Sequence, residues 1–262
     1  MIELLKLAAC LPFLLYSSYT DLTTRRVPNR VWKLMLLSLS GFVLYEAVVG
    51  GTPYILHLLF SFFLIFALTY LLFKAKVFGG ADMKALVVLA ILVPVYPTLE
   101  FHGLNFPLLG VPPIKLFALT VLENALFLTA AVPLGLFCYN LLHFNPEMLK
   151  KPLYMLIAYR VKIKDLRVLL EKGRHLRLAE RFEFKNGKLK PHFAGSGIVL
   201  NSNVLSRLEA HEENGLMDSF IWVTPGLPFM VPITAGFIMT ALIGDLIFHV
   251  VMKFFAFLRL FA

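Results

Sequence analysis

Apolar stretches long enough to cross a bilayer recur along this chain and leave few folds open to it. A spanning helix needs about 20 predominantly apolar residues. Six candidate stretches stand at 2–19, 31–49, 54–73, 83–95, 114–142 and 229–257, the fourth of them short. Charged residues make up 16% of the chain, against about 25% in soluble domains, and mean hydropathy is +0.78. The expected fold class is an α-helical polytopic membrane protein with about six transmembrane helices.

One long hydrophilic region interrupts this pattern, at 143–222, between the fifth and sixth stretches. It carries Leu166, Leu169 and Leu170 at helical spacing, and residues 181–193 alternate around Asn186-Gly187, the pair favoured in tight hairpins. The expected organisation is therefore residues 1–142 with five helices, a small soluble α+β insert at 143–222, and residues 223–262 with the sixth helix. The first stretch lacks a basic leader region and a small-residue cleavage site, and it reads as a mature helix rather than a signal peptide.

Basic residues set the orientation, since Lys and Arg concentrate on the cytoplasmic side. Arg25, Arg26, Arg30 and Lys33 follow the first stretch, Lys74, Lys76 and Lys84 follow the third, and the insert holds fourteen more. The remaining four, Lys6, Lys115, Lys253 and Arg259, fall on the other side. The insert is then cytoplasmic, both termini face outward, and a plasma-membrane location is expected. This bias accounts for the net charge of +9 without a nucleic-acid partner.

Ionisable residues at membrane depth line polar cavities or pathways rather than lipid. Asp21 closes the first stretch and Asp82 opens the fourth, after Gly79-Gly80-Ala81, and the topology puts both at the cytoplasmic face. Two carboxylates brought close share a proton, giving an acid beside a base, a pair that hydrolyses peptide bonds with no metal or cofactor. The small residues before Asp82 suit a close backbone approach. Each acid also has a plainer reading, Asp21 as an interfacial residue offsetting Arg25 or Arg26, and Asp82 as a first-turn acid favoured by the helix dipole.

These motifs resemble those of the archaeal preflagellin peptidases, within the type IV prepilin peptidase group of GxGD-type membrane aspartic proteases. Asp21-Leu22-Thr23-Thr24-Arg25-Arg26-Val27-Pro28-Asn29 is similar to the family's first aspartate with its basic, Pro-containing sequel, and Gly79-Gly80-Ala81-Asp82-Met83-Lys84 to the second motif, with Ala81 in place of its second glycine. Thr224-Pro225-Gly226-Leu227-Pro228-Phe229, with Pro232 and Gly236, is similar to the start of the last family helix. The resemblance implies an aspartic endopeptidase with Asp21 and Asp82 catalytic and Gly79, Gly80, Ala81 and Lys84 supporting them. The partners it implies are preflagellin or prepilin-like precursors, which carry short basic leaders before a hydrophobic helix.

Within the insert, Glu209, Glu212 and Glu213 form a local acidic patch, expected to attract a basic leader unless it is only a solvated loop. Glu123 and Asp245 are the other acids inside the stretches. His57 and His249 lack partners at metal spacing, and Cys10 and Cys138, inside apolar stretches with no CxxC pair, read as buried thiols. The competing reading, a proton- or cation-coupled transporter, predicts an internal repeat, and none is visible.

Overall fold

A computed structural model describes residues 2–101, 103–172, 175–185, 188–226 and 228–259. The chain divides into two compact units, residues 1–129 with 228–262, and residues 130–227.

The first unit is helical: α1 (Ile2–Thr24), α2 (Asn29–Lys74), α3 (Gly80–Leu92), a short antiparallel pair β1 (Leu99–Phe101) and β2 (Leu104–Phe106), α4 (Phe117–Thr129), and later α9 (Met230–Leu242) and α10 (Leu246–Leu258). Among the described residues, three helical stretches reach a spanning size by length and composition, Ile2–Thr24, Asn29–Lys74 and Phe117–Leu142, or four with the bent α9–α10 pair. The chain is a helical membrane protein. Many of its large apolar side chains, such as Leu37, Phe60, Phe63 and Leu71, are exposed on the unit's surface, as lipid contact requires.

The 46 residues of α2 do not form one rod. Gly51 breaks the helix with φ 59° and ψ −151°, and Pro53 follows it, a conformation that glycine adopts without a Cβ clash. Lys84, in the first turns of α3, donates to Asn29 at the start of α2 (2.7 Å). At the other end of α2, Leu72 accepts from the backbone of Val77 and Phe78 just before α3. Both ends of α2 thus lie beside the start of α3, so its halves, 29–50 and 52–74, fold back on each other. Ser61 donates to the Ala90 carbonyl (3.2 Å), which sets α3 antiparallel to the second half.

At the turn end, the buried Lys6 ammonium meets the Glu46 carboxylate (2.6 Å), and the Tyr54 hydroxyl donates to the same group (2.8 Å). These bonds neutralise groups that would otherwise be costly away from water. Cys10 is buried on α1.

The apolar stretch 229–257 is not one helix but two, bent by 63°. Gly244 takes φ +115°, and the Asp245 carboxylate accepts from Phe248 N–H (2.8 Å) to cap α10. The buried Asn124 binds both sides of the break, donating to Gly244 O (2.8 Å) and accepting from Leu246 N–H (3.1 Å). The break is thus hydrogen-bonded rather than frayed. Asp245 also pairs with Glu123, so those two acids face each other, and Asn124 serves the backbone.

The second unit contains α5 (Ala131–Leu142), a 3₁₀ turn at Pro146–Lys150, α6 (Tyr154–Ile157), β3 (Tyr159–Lys162), α7 (Ile163–Glu171), β4 (Leu176–Lys185), β5 (Lys188–Val199), α8 (Ser202–Glu213) and β6 (Phe220–Pro225). Its four strands form an antiparallel sheet in the order β3-β6-β4-β5. Ile163 and Leu166 of α7 and Leu205 and Leu208 of α8 bury against Leu176, Leu178, Ile221 and Val223. A small α+β region is therefore present. The expected hairpin turn, Asn186-Gly187, lies outside the described residues, as does Leu227, while the flanking strands pair. Cys138, read as a buried thiol, is exposed on α5.

Gly236 sets how closely α9 approaches α4. A Cβ there would come within 2.7 Å of the Val121 carbonyl oxygen and 2.9 Å of the Ala125 nitrogen, both backbone atoms. Gly236→Ala must push the helices apart, and overpacking of this kind costs about 1–3 kcal/mol. The expected result is a melting temperature several degrees lower in detergent, while Gly135→Ala, with open space at its Cβ, leaves it unchanged to within a degree or two.

Candidate active site

Four chain segments of the first unit converge at the end opposite the Gly51 turn: the C-terminus of α1 and the N-termini of α2, α3 and α9. Asp21 sits in the last turns of α1, and its carboxylate accepts from the backbone N–H of Met230, the first residue of α9 (3.3 Å). Ser18, one turn earlier, donates to Met230 O (3.0 Å) and lies 2.7 Å from Thr234 Oγ1, which bonds Leu14 O in turn. This ladder locks α1 to α9 and fixes the height of Asp21.

Asp82 is the third residue of α3, and its carboxylate accepts the backbone N–H of Gly79 (2.9 Å). This is the return half of a capping box, satisfying a donor that the helix start leaves open. The first-turn reading of Asp82 is thus part of its geometry. A Cβ at Gly79 would sit 3.1 Å from the Asp82 carboxylate, whereas one at Gly80 would make only ordinary contact. Of the two glycines, Gly79 is the one the site needs for space. Phe78, buried, packs its ring on Phe229 (4.8 Å between centroids) and so ties the approach to α3 to the approach to α9.

A cavity of about 370 Å³ opens between these ends, lined by Asp21 and Asp82 together with Gly79, Gly80, Ala81, Lys84, Arg25, Arg26, Val27 and Asn29. All six residues expected from the two motifs therefore face one space. Glu209, Glu212 and Glu213 lie in the other unit, on α8. Glu209 is held by the Arg167 guanidinium, at 2.5 and 3.2 Å, while Glu212 is half-buried and Glu213 exposed. Among the described residues no three His, Cys, Asp or Glu side chains gather as a metal site would require.

The two acids are not equivalent. Asp82 is buried and Asp21 half-buried, so the two carboxyl groups meet different surroundings at one cavity. Such an arrangement supports acid and base chemistry from one pair of side chains.

Residues 8–134 match the type IV leader peptidase family, and residues 150–246 match the archaeal peptidase A24 C-terminus, type II. The chain belongs to the type IV leader peptidase family. It is similar to the preflagellin peptidase of Methanococcus voltae, at 28% identity over 91% of this chain and 95% of that one. A preflagellin peptidase of Methanocaldococcus jannaschii is also 28% identical, over 92% and 95%. The prepilin peptidase EppA of Methanothermobacter thermautotrophicus is 32% identical over 48% of this chain and 33% of its own. The expected family and its aspartic-peptidase activity thus hold for this chain.

Sequence reasoning passed over the groups that hold the acids in place. Met230 enters through its backbone, which no side-chain motif reveals. Asn29 was visible as part of the first motif, but its bond to Lys84 joins segments far apart in the chain. The Pro-Gly-x-Pro-Phe run before α9 signalled a helix start, and its Phe229 packs on Phe78.

Proposed function

We propose that this chain removes the short basic leader from preflagellin or type IV prepilin-like precursors at the cytoplasmic membrane face, with Asp21 and Asp82 as its catalytic pair. The observation that carries the reading is the single cavity into which both carboxyl groups open, each held by a backbone N–H at a helix end. The names of the similar archaeal proteins support the substrate class.

In this mechanism ionised Asp21 takes a proton from a water molecule as the water oxygen adds to the scissile carbonyl carbon. Protonated Asp82 supplies a proton to the carbonyl oxygen. The tetrahedral intermediate then collapses: the C–N bond breaks, the leaving nitrogen takes the proton held by Asp21, and one hydroxyl of the former intermediate returns its proton to Asp82 as the new carboxylic acid forms, so that both acids regain their starting states. Asp82, the more buried acid, takes the protonated role, and Asp21, whose carboxylate accepts the Met230 N–H, takes the ionised one. Gly79, Gly80 and Ala81 keep the approach narrow, and Lys84 fixes α3 against α2 through Asn29.

Six membrane crossings follow from the same picture: α1, the two halves of α2, α3, the stretch from α4 into α5, and the α9–α10 pair. The basic residues Arg25, Arg26, Arg30, Lys74, Lys76 and Lys84 all belong to the site end, which supports a cytoplasmic site. Glu212 and Glu213 draw the basic leader, with Glu209 engaged by Arg167.

The deciding experiment is cleavage of a basic-leader precursor by membranes carrying the wild type, Asp21→Asn, Asp82→Asn or Asp245→Asn. The first two replacements are expected to lower turnover by about 10³-fold or more, and the third to leave it near wild type, at equal accumulation. Wild-type turnover in either of the first two removes the dyad. For the leader, Glu212→Lys with Glu213→Lys is expected to raise KM several-fold at low salt and to spare kcat. An unchanged KM there disposes of the acidic patch.

A further inference from the structure

A second hollow lies on the first unit, a groove of about 540 Å³ between α1 and the first half of α2. Its walls are apolar: Phe13 and Tyr16 from α1, Val31 and Leu34 from α2, with Pro12 at its far end. Tyr16 and Leu34 are 51% and 56% exposed, so the groove is open along its length rather than closed by its own side chains.

The groove and the acidic cavity share a wall. Val27 and Asn29 line the cavity, whereas Pro28 and Arg30 line the groove. Pro28, at φ −62° and ψ 135°, is the last residue before α2 begins at Asn29. The α1–α2 connection is therefore one partition with the carboxylates on one side and the apolar groove on the other. Arg30 stands at the boundary.

We infer that this groove seats the apolar segment of the substrate that adjoins the scissile bond, so that the bond itself lies over the partition. The inference rests on the peptidase reading above and names the element of the substrate that the site grips. From Pro12 to Tyr16 the α1 wall of the groove rises about 6 Å, as does its α2 wall from Arg30 to Leu34, at 1.5 Å per residue. An apolar helix laid along it thus has about one turn in contact and presents one face, with side chains at i and i+3 or i+4. The groove runs from the polar site end toward the middle of the bundle. A segment seated there keeps its apolar residues away from water while its polar flank stays at the cavity.

The test places a photoreactive phenylalanine analogue at Leu34 or, as control, at Phe60, an equally exposed residue on the second half of α2. Both are made in full-length Asp82→Asn, which binds without cutting, in liposomes with an intact precursor. The expected result is precursor adduct at Leu34 at least about ten-fold above Phe60, lost when the precursor's apolar segment is made polar. Lipid adduct alone at Leu34, or equal precursor adduct at both positions, overturns the proposal while wild-type cleavage of the same precursor keeps the peptidase reading intact. Failure of the wild type to cleave overturns that reading and this one with it. In the Asp82-containing enzyme, Leu34→Gln is expected to raise KM about ten-fold with kcat retained. A fall in kcat at constant KM would count against seating.

Discussion

A straight helix of the 46 residues in α2 would hold its two ends on the order of 70 Å apart. Asp21 is joined to one of those ends through the α1–α2 connection, and Asp82 to the other through the α2–α3 connection. The two carboxyl groups share a cavity only because the backbone reverses at Gly51. The Lys6–Glu46–Tyr54 cluster sits at that reversal and ties α1 to both halves of α2, and Lys84 with Asn29 closes the other end. The reversal and these two bonded clusters together bring residues distant in sequence to one end of the helices.

Placing the acids at helix termini answers an electrostatic difficulty. A carboxylate in the middle of a spanning helix would face hydrocarbon with no donor in reach, since the backbone N–H groups there are already bonded. At a helix start those donors are free. Gly79 N–H supplies Asp82, and Met230 N–H, at the start of α9, supplies Asp21. The difference between the acids is then one of burial: Asp82 is buried and Asp21 half-buried, while cationic side chains on the α1–α2 connection face the same cavity. One enclosure thus gives two like side chains different surroundings.

The membrane class and the two acids were legible in the sequence because each rests on local signals, namely long apolar runs and an aspartate at a helix boundary next to glycine or arginine. The α+β character of the hydrophilic region was legible from leucine spacing and alternation. What stayed hidden depends on contacts between distant segments. The apolar run at 229–257 gives no periodicity cue for its 63° bend, which Gly244 permits and Asn124, from another helix, secures. Glu209 reads as part of an acidic patch, yet Arg167 engages it across α7 and α8. Similarly, Gly79 and Gly80 look alike in sequence, and only the position of the Asp82 carboxylate separates them.

A bond at the junction of a polar leader and an apolar helix lies at the membrane surface, where neither water nor hydrocarbon suits both flanks. An enzyme buried in the bilayer would have to draw the polar flank inward, and one in solution would have to draw the apolar flank out, at about 25 cal/mol per Å² of apolar surface exposed. A partition with carboxylates on one face and an apolar groove on the other avoids both costs. Pro28 suits that partition because its fixed φ holds the extended form and it has no N–H to satisfy. On the proposed reading, recognition of the junction needs few side-chain contacts, since a substrate that lacks either flank leaves one side of the partition mismatched. This accounts for a site that is small, open, and built from helix ends and one short connection.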